Sequence, residues 1–91
     1  MKVDELAGDA ADGRGLIACP GFVDVHSHAN RGVVTTPTAD NLVGQGITTF
    51  LGDNCGFSSA PTPELGFAEW QAQADAANPS VNYAPLDGHN T

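Results

Sequence analysis

Two histidines separated by one residue, His26 and His28, are the side chains of this chain whose types and spacing most directly suggest chemistry. Val23 and Val25 precede them in alternation with other residues, which is typical of a buried β-strand. Side chains two positions apart in a strand point the same way, so both imidazoles should project from one face, with Asp24 behind them. Zinc binds histidine nitrogens, and this spacing lets both rings reach one ion. The alternative is a pair of solvated histidines in a loop.

The elements that would position these histidines can be predicted from the rest of the sequence. Apolar and β-branched runs predict three strands, at residues 22–26, 47–51 and 81–86. Apolar residues at helical spacing predict two helices, at residues 36–43 and 64–77, with an irregular stretch at 29–35. Thr36 and Thr62, each followed by proline, are the expected caps of these helices. Short helical crossovers between apolar strands favour an α/β fold with a parallel sheet.

Two further details of the predicted elements concern packing. Phe67, Trp70 and Ala74 recur at helical spacing and should form the buried stripe of the second helix, which assigns Trp70 to the core. Pro85 has no amide proton to donate, so the third strand should be irregular near its end.

Residues with reactive side chains collect where the three predicted strands end. In a parallel β/α arrangement all strands end on the same side of the sheet, and functional groups gather at that edge. All three histidines of the chain and one of its two cysteines fall there. The residues at the three ends are His26 and His28, then Asp53, Asn54 and Cys55, then Asp87 and His89. This clustering is the strongest evidence from the residues themselves for a functional site.

Cys19 and Cys55 are expected to be free thiols rather than a disulfide. Cys19 precedes the first strand and Cys55 follows the second, so a parallel pair would hold them roughly 23 Å apart, far beyond the reach of a disulfide. Cys19 is interpreted as a small buried apolar residue. Cys55 has two interpretations: a thiolate that would suit zinc, or a thiol buried in a glycine-rich turn.

The composition of the 91 residues argues against several classes of partner. Asp and Glu number 11 and Lys and Arg number 3, which gives a formal net charge of −8. Such a surface repels nucleic acid and anionic membranes. Apolar residues make up 41 %, which is ordinary for a globular protein. No apolar run is long enough to span a bilayer, and the first residues lack the apolar core of a signal peptide, so we expect a cytoplasmic location.

Two segments of the chain carry a resemblance to a known family. Residues 20–28 resemble the first barrel strand of the amidohydrolase superfamily of metal-dependent hydrolases. Residues 46–58, with the sequence GITTFLGDNCGFS, are similar to the second-strand motif of the N-acyl-D-amino-acid deacylases (D-aminoacylases), one branch of that superfamily. The segments 60–61, 81–82 and 88–91 also fit this branch. The matching motifs extend over nearly the whole chain.

The resemblance implies a partial (β/α)8 TIM-type barrel, with about three parallel strands and two connecting helices in this chain, and one or two zinc ions. His26, His28 and Cys55 match metal-ligand positions of the deacylase branch. The implied reaction is hydrolysis of a small-molecule substrate, an N-acyl-D-amino acid, to a carboxylate and a free D-amino acid. Zinc suits this chemistry because it polarises an amide carbonyl and lowers the pKa of water. The aspartate that shuttles the proton in this branch lies on a late strand, beyond residue 91.

Other residues near the strand ends have less defined roles. Asp53 and Asn54 could orient metal ligands through hydrogen bonds, or could simply form a turn. His89 matches a position of a family motif and is assigned to the substrate pocket or to the surroundings of the ligands, not to the metal. The sequence departs from the family at residues 29–30, where some members have an acidic residue, and at Asp87, where an apolar residue is usual. Both departures concern substrate preference.

The length of the chain sets the expected domain organisation. A barrel of this kind needs about 250 residues, so we expect a fragment that is cut at both ends. Residues 1–19 would be a linker or the remnant of a flanking β-sandwich, and residues 20–91 the N-terminal part of the barrel. Three parallel strands leave unpaired edges and an uncovered face, so the fragment by itself should be marginally stable and inactive.

Two alternatives to a deacylase remain open at this stage. One is a cyclic-amide hydrolase of the dihydroorotase or hydantoinase type, against which the motif around Cys55 argues. The other is a truncated remnant without catalytic activity that binds a metal weakly through His26, His28 and Cys55.

Overall fold

The computed structural model describes residues 12–87 of the chain. Three strands, β1 (Phe22–Ser27), β2 (Ile47–Gly52) and β3 (Asn82–Ala84), form one sheet in the order β1-β2-β3. Both neighbouring pairs are parallel, with Asp24 opposite Phe50 and Phe50 opposite Tyr83. Helices α1 (Asn30–Thr35) and α2 (Asp40–Val43) lie in the first crossover, and α3 (Phe67–Ala76) lies in the second. The predicted α/β fold with three parallel strands is confirmed.

The core lies between the sheet and the helices and is built around aromatic side chains. Phe50 of β2 is 1 % exposed, and its ring centroid lies 6.4 Å from that of Tyr83 on β3. Tyr83 also meets Trp70 of α3 edge to face at 5.8 Å. Trp70 and Ala74 are buried as predicted, and Phe67 is half-buried. One face of α3 therefore covers the sheet at β2 and β3.

The first crossover contains a helix that the sequence patterns do not predict. The stretch 29–35 is expected to be irregular, but α1 covers most of it. Asn30 and Val33, three residues apart, are both buried. Their packing outweighs the low helix propensity of the glycine and β-branched residues in the segment NRGVVT. The first crossover thus contains two short helices rather than one.

Two helices begin later than their sequence signals indicate. The predicted cap Thr36 lies four residues before α2, in a turn that is tied to the approach to β3 because the Ser80 N–H donates a 2.8 Å hydrogen bond to the Pro37 carbonyl. The predicted cap Thr62 likewise lies before α3 and closes a separate turn, in which its hydroxyl accepts a 3.1 Å hydrogen bond from the Leu65 N–H. Long-range and turn contacts override the local cap signals here.

Strand β1 lies at an edge of the sheet, and its apolar side chains are exposed. Phe22 and Val25 are 62 % exposed and Val23 is 61 % exposed. The prediction of a buried strand is wrong for the described part of the chain, because no residue between 12 and 87 covers these side chains. Cys19, just before the strand, is also exposed, so the prediction of a buried thiol is wrong there. Cys19 and Cys55 are both free, as predicted.

Strand β3 ends at Ala84, directly before Pro85, and is therefore shorter than the predicted strand at 81–86. The irregularity expected near Pro85, which has no amide proton to donate, is confirmed. Asp87 is exposed and is the last residue that the structure describes, so His89 lies outside the described residues. Across residues 12–87, no helix has both the length and the apolar character that crossing a bilayer requires.

Candidate functional site

Two stacked imidazole rings lie at the carboxyl end of β1. The ring centroids of His26 and His28 lie 5.6 Å apart, and the ring planes differ by 6°. Ser27 between them is buried, and its hydroxyl accepts a hydrogen bond from the Ala29 N–H at 3.2 Å. The Asp24 carboxylate accepts a 3.1 Å hydrogen bond from the His26 N–H. The alternation of the strand therefore places both rings on one face, where they are exposed, and short-range hydrogen bonds hold the backbone around them.

The turn after β2 carries the third predicted ligand, Cys55. This turn begins at Asp53, which has a φ of 69°, and continues through Asn54. The side-chain amide of Asn54 donates a 2.9 Å hydrogen bond to the main-chain carbonyl of Val25. Cys55 is half-buried, with its Sγ atom 3.7 Å from the carbonyl oxygen of Phe57. The turn that holds the thiol is thus tied to the strand that holds the imidazoles.

Asp53 links three segments of the site. Its carboxylate is 4 % exposed and accepts hydrogen bonds from the main-chain N–H groups of Ser59 and Leu86. Burial raises the pKa of the Asp53 carboxyl, and the two N–H donors oppose that shift. The end of β2, the following loop and the segment after β3 therefore meet at one side chain, which also occupies the left-handed position of the turn.

A cavity of about 220 Å³ lies at this edge of the sheet, and His28 and Cys55 both line it. The other residues that line the cavity are Asn30, Arg31, Phe57, Ser58 and Ser59. Asn30 is 8 % exposed, and its side chain lies so close to Gly52 that a Cβ atom there would be 2.6 Å from Oδ1. The cavity thus has a basic group, an aromatic ring and two candidate metal ligands around one space.

The structure places the three predicted ligands in one region, but their side chains are not arranged to coordinate a single metal ion. His28 and Cys55 share the cavity, and His26 lies beside His28. Within residues 12–87, no three His, Cys, Asp or Glu side chains are close enough to hold a metal as they stand. The lone pair of an imidazole lies in the ring plane, so two parallel rings need a side-chain rotation before both can donate to one ion. The ligand assignment stays a prediction.

Comparison with known proteins identifies relatives that this chain matches over part of their length. No family model matches the chain. The sequence is 36 % identical over 98 aligned positions to an N-acyl-D-aspartate deacylase of Alcaligenes xylosoxydans xylosoxydans, covering 88 % of this chain and 20 % of the relative. It is 32 % identical over 108 positions to an N-acyl-D-glutamate deacylase of the same organism, covering 96 % and 22 %.

A solved structure agrees with these matches. The chain superposes with a TM-score of 0.69 and 36 % identity on the crystal structure of an N-acyl-D-glutamate deacylase from Bordetella bronchiseptica. That protein is complexed with zinc and a phosphonate inhibitor that mimics the tetrahedral intermediate. The match covers 77 % of this chain and 18 % of the solved one. These matches support the N-acyl-D-amino-acid deacylase branch for this chain.

The chain spans about a fifth of the length of the curated relatives that it matches. Sequence reasoning found its histidines and Cys55 but missed Arg31, Phe57 and Ser59 as residues of the cavity. Arg31 lies in the stretch 29–35, which is predicted to be irregular, so its place beside the cavity could not be inferred before the position of α1 was known.

Proposed function

We propose that this chain is part of a hydrolase that cleaves the amide bond of N-acyl-D-amino acids. The observation that carries the proposal is the shared cavity of His28 and Cys55. These residues follow two neighbouring parallel strands at the edge where β/α folds place their chemistry. The relatives support the same reaction class, since a D-aminoacylase of Alcaligenes xylosoxydans xylosoxydans is also similar, with 28 % identity. The whole protein would act on a small molecule.

We also propose that His26, His28 and Cys55 hold one or two zinc ions. Two imidazole nitrogens and a thiolate are donors that zinc prefers, and three protein ligands leave a position for substrate. The metal, when bound, would polarise the amide carbonyl and activate water. His26 and His28 are exposed, so their rings are free to rotate towards a common ion. Asn54, through its bond to Val25, holds the Cys55 turn next to that strand.

The remaining expectations follow from the same proposal. Residues 20–91 would form the N-terminal part of a metal-dependent hydrolase barrel, and residues 1–19 a linker or the remnant of a flanking β-sandwich. Asp53 and Asn54 would orient the ligands, and His89 would lie in or near the substrate pocket. The exposed apolar side chains of β1 support this division, because further strands and helices of a barrel would cover them.

The test uses the full-length polypeptide that contains this segment. With zinc, it should release free D-amino acids from a panel of N-acetyl-D-amino acids and leave the L-enantiomers intact. Cys55→Ala should lose its tightly bound zinc, measured by mass spectrometry of the metal, and its activity. Cys19→Ala removes an exposed thiol outside the cavity and should keep both. Residues 1–91 alone should not hydrolyse these substrates.

Two results would contradict the proposal separately. Full zinc stoichiometry in the Cys55→Ala variant would refute the ligand assignment. Absence of turnover with every N-acetyl-D-amino acid of the panel, at full zinc occupancy, would refute the activity and favour the remnant without catalysis.

A further inference from the structure

Of the two arginines in the described part of the chain, Arg31 is the one without a carboxylate partner. The chain has three Lys and Arg residues in all. Lys2 lies outside the described residues, and Arg14 is bonded to Asp12, with 2.7 Å between Nη2 and Oδ2. No such ion pair is present at Arg31 within residues 12–87. Arg31 instead lines the cavity that His28 and Cys55 share.

The charge of Arg31 is unusual in these surroundings. The chain has a formal net charge of −8, so a cation in its cavity is an exception to the overall sign of the surface. A guanidinium stays protonated at every pH at which proteins are folded, and its planar set of N–H donors matches the two oxygens of a carboxylate. A cavity lined by such a group attracts anions and orients them.

We propose that Arg31 binds a carboxylate of the substrate and thereby determines which acylated amino acids the enzyme prefers. This inference rests on the proposed function, because it needs a substrate in the cavity. Every N-acyl amino acid has an α-carboxylate, and acidic ones have a second carboxylate in the side chain. A guanidinium can bind either carboxylate in the same way. Comparing three substrates shows which of the two carboxylates Arg31 binds.

The experiment compares kcat/KM in the full-length enzyme for N-acetyl-D-glutamate, N-acetyl-D-glutamine and the α-amide of N-acetyl-D-glutamine. The first two are nearly isosteric and differ by the side-chain charge, and the third also lacks the α-carboxylate. If Arg31 binds the side-chain carboxylate, Arg31→Gln lowers kcat/KM about 10- to 100-fold for the first substrate only. If Arg31 binds the α-carboxylate, Arg31→Gln lowers kcat/KM by that factor for the first two substrates and leaves kcat/KM for the α-amide unchanged.

Matched variants separate recognition from folding and from metal binding. Arg31→Lys keeps the charge but loses the planar fork, so it should recover part of the lost kcat/KM. Arg14→Gln alters the exposed, paired arginine and should leave all three values unchanged. Zinc content should be the same in every variant. An equal fall in the kcat/KM of Arg31→Gln for all three substrates would overturn the role of Arg31. A change of less than twofold for every substrate would overturn it as well.

The inference can fail independently of the proposed function. If the wild-type protein shows no turnover, the affinity for N-acetyl-D-glutamate is measured by calorimetry in the wild type and in Arg31→Gln. A loss of about tenfold or more supports carboxylate binding at Arg31 without catalysis. Equal affinities, or no binding by either protein, would overturn it.

Discussion

The side-chain amide of Asn54 donates a 2.9 Å hydrogen bond to the main-chain carbonyl of Val25. Val25 directly precedes His26, and Asn54 directly precedes Cys55. One hydrogen bond therefore joins the neighbour of an imidazole to the neighbour of a thiol, across 29 residues of sequence. This bond therefore helps to hold the turn of Cys55 next to the strand of His26.

The first prediction follows from this bond. Asn54→Ala removes the donor and frees the Cys55 turn from β1, so zinc affinity should fall about 10- to 100-fold, the usual effect of losing a group that orients ligands. The measurement is competition for zinc with a chromophoric chelator.

Asn82→Ala is the matched control for Asn54→Ala. The Asn82 amide also bridges two strands, donating a 3.3 Å hydrogen bond to the Thr48 carbonyl, but it lies away from the histidines. This variant should keep its zinc affinity. Equal losses in both variants would assign the effect to sheet stability and not to ligand placement.

The second prediction concerns the close approach of Gly52 to Asn30. A Cβ atom at residue 52 would lie 2.6 Å from Asn30 Oδ1, and the buried Asn30 has little room to move. Gly52→Ala should therefore lower the free energy of unfolding by about 1–3 kcal/mol, the range for overpacking. Urea unfolding of the polypeptide measures the loss.

Two further variants decide the cause of that loss. Gly32→Ala makes the same chemical change within α1, where no atom beyond the helix's own backbone and the adjacent residues lies within 4 Å of the added Cβ, and it should stabilise by about 0.5–1 kcal/mol. Asn30→Ala combined with Gly52→Ala should recover most of the lost stability, because the two effects share one contact. Strictly additive losses would show that the Asn30 side chain is not the obstacle.

The third prediction concerns the titration of Tyr83. Burial raises the pKa of Tyr83 to about 12, and the 2.7 Å hydrogen bond to Asp75 and the charge of that carboxylate add to the shift. The folded pKa lies above the unfolded value of about 10, so the stability gained from neutral Tyr83 is complete below pH 10. That contribution is lost as the pH rises from about 10 towards 12.

Tyr83 is the single tyrosine of residues 1–91, so the absorbance of tyrosinate reports its titration directly. The midpoint should lie near pH 12 in the native polypeptide and near pH 10 in urea. Asp75→Asn should lower the native midpoint only partway, because burial, the largest cause, remains. A native midpoint near pH 10 would contradict the packing of Tyr83 against α3.

The fourth prediction concerns the exposed edge of the sheet. Val23 and Val25 of β1 are more than half exposed, and an apolar sheet edge favours self-association. In the polypeptide of residues 1–91, changing both to Thr should reduce association, as measured by sedimentation. Val43→Thr makes the same chemical change in α2, away from the sheet edge, where the side chain is 48 % exposed, and it should have little effect. Equal reductions would indicate general hydrophobicity as the cause.

The sequence alone predicts the parallel sheet. It also predicts that His26, His28 and Cys55 lie at the carboxyl edge of that sheet. Alternation, β-branched runs and glycine turns are local signals, and each is carried by consecutive residues. The start of β2 at Ile47 and the irregular end of the third strand near Pro85 follow from the same kind of signal. The residues at the strand ends then lie together because parallel strands all end at one edge.

Only the tertiary structure decided which other residues join them. Helix α1 forms because Asn30 and Val33 find buried positions, and that helix brings Arg31 into the cavity. The bond from Asn54 to Val25 and the bonds that Asp53 accepts join segments that are distant in sequence. Such contacts depend on which surfaces meet after folding, and local propensity does not contain that information.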